Sequence, residues 1–169
     1  MNKMLILLQQ LHLENEVNEL KRATIEKVVV NADNSYVFYI VASHIVPLEE
    51  IRVLFAAKNE FPYPCDFIFD WMSSYTDQDV KEYALFIFNG LKKRFPQIEF
   101  LNQDSLSFEE NTLKMEVLNE IQLNQLQHLY KIFDKYFSKF GIQIGFDAYI
   151  DQNNETYQSI QEEMSALNE

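Results

Sequence analysis

Catalysis and metal binding need particular residue types at fixed spacings, and this 169-residue chain offers few of them. Its three histidines, His12, His44 and His128, stand in unrelated stretches, with no His-x-His or His-Glu-x-x-His pair to seat a metal. They are expected to be solvent-facing or locally bonded. Cys65 is the one cysteine, which excludes an intrachain disulfide and a Cys-based zinc site. It alternates with Phe67 and Phe69, the pattern of a buried packing thiol, and nothing marks a base to activate it. Asp66 and Asp70 resemble a carboxylate pair, yet a period of two puts them on the solvent face of a half-buried strand. Glu109 with Glu110, and Glu162 with Glu163, fall where solubilising charges belong, at a hairpin tip and on a final helix. No Gly-rich phosphate loop or Gly-x-Ser-x-Gly elbow occurs. No catalytic, cofactor-binding or metal-binding residue is therefore assigned, and no cofactor is expected.

Two groups of side chains are suited to binding instead. Lys131, Lys135 and Lys139 recur at every fourth position, a stripe along one helix, and Lys92, Lys93 and Arg94 cluster at the end of the preceding helix. Cations near helix C-termini complement the dipole on a solvated face, and the same residues could grip phosphates. The net charge of -12 and pI of about 4.6 oppose general attraction to nucleic acid or an anionic membrane. Tyr63, Trp71 and Tyr149 are the aromatics expected to be available to a protein interface.

The elements that must carry these residues follow from periodicity. Apolar residues make up 47% of the chain, including 14 Phe and 9 Tyr, enough for a substantial core. Met4, Leu7, Leu8 and Leu11 share one face of a short helix, and the apolar run Met4 to Leu8 is too short for a membrane span. Thr24 to Val30 and Tyr36 to Val41 are β-branched and apolar around Ala32-Asp33-Asn34, predicting a hairpin. Pro47 opens a helix with Glu49 and Glu50 in its first turn and Leu48, Ile51, Leu54 and Phe55 on its apolar stripe. Phe61-Pro62 ends it, and Cys65 to Trp71 alternates as a strand.

The same order then recurs. Thr76 and Asp79 form a capping-box pair ahead of a helix with Val80, Tyr83, Ala84, Ile87, Phe88 and Leu91 inside. Leu106 and Phe108, then Leu113, Met115 and Val117, alternate around Glu110-Asn111 as a second hairpin. Asn119 caps one long helix carrying Leu126, Leu129, Tyr130, Phe133, Phe137 and Phe140, closed by Gly141. Ile142, Ile144, Phe146, Ala148 and Ile150 make the closing strand, and Tyr157, Ile160, Met164 and Leu167 a short exit helix. The expectation is α+β: two tandem α-β-β-α-β units at 1–73 and 74–151, each a small mixed sheet covered by helices, followed by an exit segment at 152–169. The second unit resembles a type II KH domain, the fold of a nucleic-acid module. KH domains clamp nucleic acid with a GXXG loop, and among Gly90, Gly141 and Gly145 no two have that spacing.

Ala23 to Val30, Tyr36 to Ile40 and Ile45 to Glu50 resemble the start of PolC-type DNA polymerase III alpha subunits, the replicative polymerases of low-GC Gram-positive bacteria and mycoplasmas. Leu106 to Ile150, with Lys139-Phe140-Gly141, resembles the second N-terminal segment of the same proteins, itself similar to the KH-like C-terminal domain of the clamp loader's tau subunit. The resemblance implies a cytoplasmic, non-catalytic fragment running from the native Met1 to Glu169, ahead of the oligonucleotide-binding, PHP-exonuclease and polymerase segments. None of their active-site residues can be carried over. Two functions are expected: a protein-interaction module tethering the polymerase to tau or another replisome protein, or a single-stranded nucleic-acid module using the lysine stripe.

Overall fold

A computed structural model describes residues 2–151 and 162–167. The chain divides into two units, Met1–Asp79 with Ser138–Ile142, and Val80–Phe137 with Gln143–Glu169.

The first unit begins with α1 (Lys3–Gln10), whose N-cap Asn2 accepts the Leu5 N–H at 3.1 Å. Met4, Leu7 and Leu8 are buried on one face, and the helix closes where His12 takes a left-handed φ of 61°. β1 (Thr24–Val30) and β2 (Tyr36–Ala42) pair antiparallel, with a bulge between Ile25 and Lys27. Their connection is held by the Asp33 carboxylate, which accepts both the Ser35 N–H and its hydroxyl, and by Asn34 at φ 67°. α2 (Leu48–Ala56) follows Pro47, and β3 (Cys65–Trp71) lies parallel to β2. The strand order is β1-β2-β3. One side of the sheet is the core side, with Ile25, Phe38, Ile40, Phe67 and Phe69 buried alongside Ile51 and Leu54 of α2. Each such side chain stabilises the fold by roughly 1.5–3 kcal/mol.

Glu50, in the first turn of α2, does more than face a helix dipole. Its carboxylate accepts the backbone N–H groups of Asn18, Glu19 and Leu20 at 2.9, 3.2 and 2.9 Å, pinning the chain that leads into β1.

The second unit starts within α3 (Asp77–Leu91). The expected capping box is formed: the Thr76 hydroxyl accepts the Asp79 N–H at 3.1 Å and the Asp79 carboxylate accepts the Thr76 N–H at 2.9 Å. Val80, Tyr83, Ala84, Ile87, Phe88 and Leu91 are buried, as their spacing predicts. β4 (Leu106–Glu109) and β5 (Thr112–Val117) join through Glu110 and Asn111, both at positive φ (51° and 59°), the geometry of a tight twisted hairpin turn. β6 (Gly145–Ile150) runs parallel to β5, giving the order β4-β5-β6.

The single long helix expected after Asn119 is instead two, α4 (Glu120–His128) and α5 (Tyr130–Lys139). At Leu129 the N–H donates to the Leu126 carbonyl, three residues back, at 2.9 Å, and the His128 ring Nδ1 donates to the Asn124 carbonyl at 2.6 Å. The core side of this segment begins only at Leu126. The tighter turn lets Leu126 and Leu129 both enter the core while the start of α4, including Ile121, stays outside. The closing strand also begins later than its alternation suggests, at Gly145, although Ile142 and Ile144 are buried ahead of it. Of the exit helix, Tyr157 and Ile160 lie outside the described residues, while residues 162–167 are helical and exposed. Among the described residues no helix is long and apolar enough to cross a membrane.

Candidate functional site

Residue types with chemical potential are dispersed rather than gathered. His12 is exposed and 3.9 Å from Glu60; His44 Nδ1 lies 2.8 Å from the Ser73 hydroxyl; His128 is bound to the Asn124 carbonyl. Among the described residues no group of three or more His, Cys, Asp or Glu side chains could hold a metal ion. Cys65 is buried, and burial pushes its thiol above the ordinary range. Its sulfur lies 3.9 Å from the Lys58 carbonyl, and the neighbouring Lys58 ammonium faces Asp66 at 3.3 Å. An open cleft of about 450 Å³ passes this point, lined by Lys58, Phe61, Tyr63 and Cys65 among others. Its lining holds the buried thiol and the Lys58 ammonium, without a nucleophile–base couple.

Asp66 is more engaged than its place in an alternating strand suggests. Lys139 lies 2.6 Å from one carboxylate oxygen, Lys58 lies 3.3 Å from the other, and the Phe67 N–H also donates to it. Burial alone would raise this carboxyl. The Lys139 hydrogen bond and charge, the Phe67 N–H and Lys58 outweigh burial and hold it below the usual carboxylate value. Lys139 itself sits over the rings of Phe55 and Phe140, at 5.5 and 5.9 Å from their centres.

This pairing separates the basic residues into engaged and open members. Lys139 is bound by Asp66, Lys92 Nζ donates to the Leu101 carbonyl at 2.7 Å, and the Arg94 guanidinium donates to the Tyr136 hydroxyl at 2.6 Å. Lys131, Lys135 and Lys93 are exposed. In the second unit the Arg94–Tyr136 bond brings the Lys92 to Arg94 segment against α5, next in sequence to Lys135.

The three aromatics meet three fates. Tyr63 is 45% exposed and stacks on Tyr36 with centres 5.3 Å apart, at the margin of a cluster with Phe38 and Phe61. Tyr149 is 37% exposed on the outward side of β6, where partial burial and the Glu116 carboxylate raise its phenol. Trp71, expected to be available at an interface, is buried. It stacks on Phe69, and its indole N–H donates to the Phe140 carbonyl at 2.7 Å. The period of two in β3 already placed Trp71 with Phe67 and Phe69. A core position that could satisfy the indole N–H then removed it from the surface.

A further surface escaped the residue-by-residue reading. β2 contains no polar position, and its register puts Val37, Tyr39 and Val41 on the side of the sheet opposite Phe38 and Ile40. The run Tyr36 to Val41 carried that signal, because a strand with one wet face alternates and this one does not.

Comparison with known proteins gives one finding of likeness. Residues 3–66 match the family described as DNA polymerase III polC-type N-terminus I. No curated protein and no solved structure matches the chain.

Proposed function

We propose, from the premise that residues 3–66 belong to the family of polC-type DNA polymerase III N-termini, that this chain is a non-catalytic interaction module of a replicative polymerase. Its role is to tether that polymerase to the tau subunit of the clamp loader. The observation that carries the reading is the family match, which spans α1 to the first residues of β3 and so covers both helices and the hairpin of the first unit. The second unit supports it through element order: a helix, an antiparallel hairpin, helices and a parallel closing strand, the order expected of a KH-like domain. No two glycines have GXXG spacing, so the backbone clamp such domains use on nucleic acid is missing. Binding to protein is the use left to the shape. The same premise makes the cytoplasm the setting.

A single-stranded nucleic-acid module working through the basic helix is the competing reading, favoured by the exposure of Lys131 and Lys135. It is weakened by the engagement of Lys139, Lys92 and Arg94 and by the net charge of -12. Calorimetric titration with the C-terminal part of the same organism's tau subunit tests the tether, alongside a labelled single-stranded oligonucleotide at low and moderate salt. Heat with tau and none with DNA is the expected result, unchanged when Lys131 and Lys135 are both replaced by Glu. Salt-sensitive DNA binding without a tau signal overturns it. Loss of tau binding in the Lys131→Glu/Lys135→Glu protein would put the partner on α5 instead.

A further inference from the structure

The two sheets share one topology, a central strand with an antiparallel neighbour on one side and a parallel neighbour on the other. Each has a buried side, so their outward sides can be compared row by row from the registers. In the second sheet the outward rows are Ser107–Lys114–Asp147, Glu109–Thr112–Gly145 and Glu116–Tyr149. That is the composition of a face meant for water. In the first sheet they are Thr24–Val41–Asp70, Lys27–Tyr39–Ile68 and Val29–Val37–Asp66. Five of those nine positions are apolar or aromatic: Val29, Val37, Tyr39, Val41 and Ile68. All five keep part of their surface in contact with solvent. Charge is confined to the margins, Lys27 on β1 and the two aspartates on β3.

An apolar sheet face is ordinarily buried under another layer of secondary structure. We infer that the outward face of the first sheet is a docking surface for an amphipathic helix of a partner protein, with basic residues along the side of its apolar stripe that meets β3. A second copy of this chain is disfavoured as the occupant, because each copy carries a net charge of -12. The β3 margin selects a basic flank on that side: Asp70 is exposed, whereas Asp66, four positions earlier on the same face, is already neutralised by Lys58 and Lys139. Lys27, on the opposite margin, lies 4.5 Å over the Tyr39 ring and covers part of it. A helix entering from above displaces that side chain and takes its place on the ring. The inference names the surface and partner chemistry for the tether proposed above and rests on that reading for the partner's identity alone.

The test uses the whole chain and two ligands. One is a synthetic helical peptide of leucine and lysine with a single apolar stripe. The other is the tau fragment. The variants are Val37→Thr/Val41→Thr and Ile68→Thr, which keep charge and strand propensity, so electrostatic attraction to an acidic protein is unaltered. Thermal unfolding confirms that they remain folded. About tenfold weaker binding of the peptide by the double variant is expected, the scale of two lost apolar contacts. Equal affinity of variant and parent for the peptide overturns the surface. Peptide binding that depends on the face, with no tau binding, retains the surface and removes tau as its occupant. Tau binding that ignores these substitutions retains the tether and overturns the surface.

Discussion

Replacing Gly141 by alanine tests how the first unit closes. Gly141 adopts φ 77°, the left-handed region, which costs a residue with a side chain roughly 1–2 kcal/mol. A Cβ built there falls 2.5 Å from Trp71 Nε1, 2.6 Å from its Cδ1 and 3.1 Å from the Phe69 carbonyl oxygen. The indole must therefore move. It is buried, and its N–H is committed to the Phe140 carbonyl at 2.7 Å. Breaking that bond costs about 1–3 kcal/mol, and forcing volume into a packed site costs a similar amount. The total, on the order of 3–8 kcal/mol, is a large part of what stabilises a domain of this size. Trp71 is the only tryptophan in the chain, so its fluorescence during denaturant unfolding reports the loss and the altered packing together. Gly90→Ala is the counterpart: no atom lies within 4 Å of its Cβ, and it sits near the end of α3, so a gain of about 0.5–1 kcal/mol is expected. In a Trp71→Phe background, followed by circular dichroism, the Gly141→Ala penalty should shrink as the clash is relieved. A Gly141→Ala loss below about 1 kcal/mol, with unchanged tryptophan emission, would refute both the strain and the contact.

The other expectations concern ion pairs. Asp66→Asn should destabilise the protein by no more than about 1 kcal/mol, since the carboxylate remains 40% exposed. Because its native pKa is depressed, that contribution is present above the unfolded-state value and fades as pH falls through the native one. The gap between parent and variant measured by denaturant should therefore be full at neutral pH and close below about pH 4. Glu50→Ala removes the acceptor of three backbone N–H groups and should cost about 2–3 kcal/mol, whereas exposed Glu49→Ala should cost less than about 1 kcal/mol. Equal losses for the two in urea titrations would mean that the dipole, rather than the pinned segment, accounts for Glu50.

Much of the architecture was readable because it is local. The hairpin turns, the Thr76–Asp79 capping box, the Asn119 cap and the Gly141 terminus each depend on residues within a few positions of one another. The α3 core face followed from a 3.6-residue period alone. The break at Leu129 was hidden because Leu126, Leu129, Phe133 and Phe137 continue a helical spacing straight through it. Only the three-residue hydrogen bond at the turn shows where one helix ends. The basic stripe was regular in sequence and unequal in structure, since the partner of Lys139 lies in a distant strand.

By itself, then, the sequence determined most of the elements, their order, many of their buried sides and the absence of a familiar catalytic spacing. Tertiary structure decided which polar and aromatic groups were left over for function. Trp71 meets the Phe140 carbonyl across 69 positions, and Glu50 meets the N–H groups before β1 across about thirty. Such pairings have no period to be read. They form only when the chain returns on itself, because a buried N–H or a half-buried carboxylate must find a partner wherever packing places one. The apolar outward face of the first sheet belongs to both accounts. Its residues are plain in the run from Tyr36 to Val41, but which of them faces outward depends on the strand pairings that put the other side in the core.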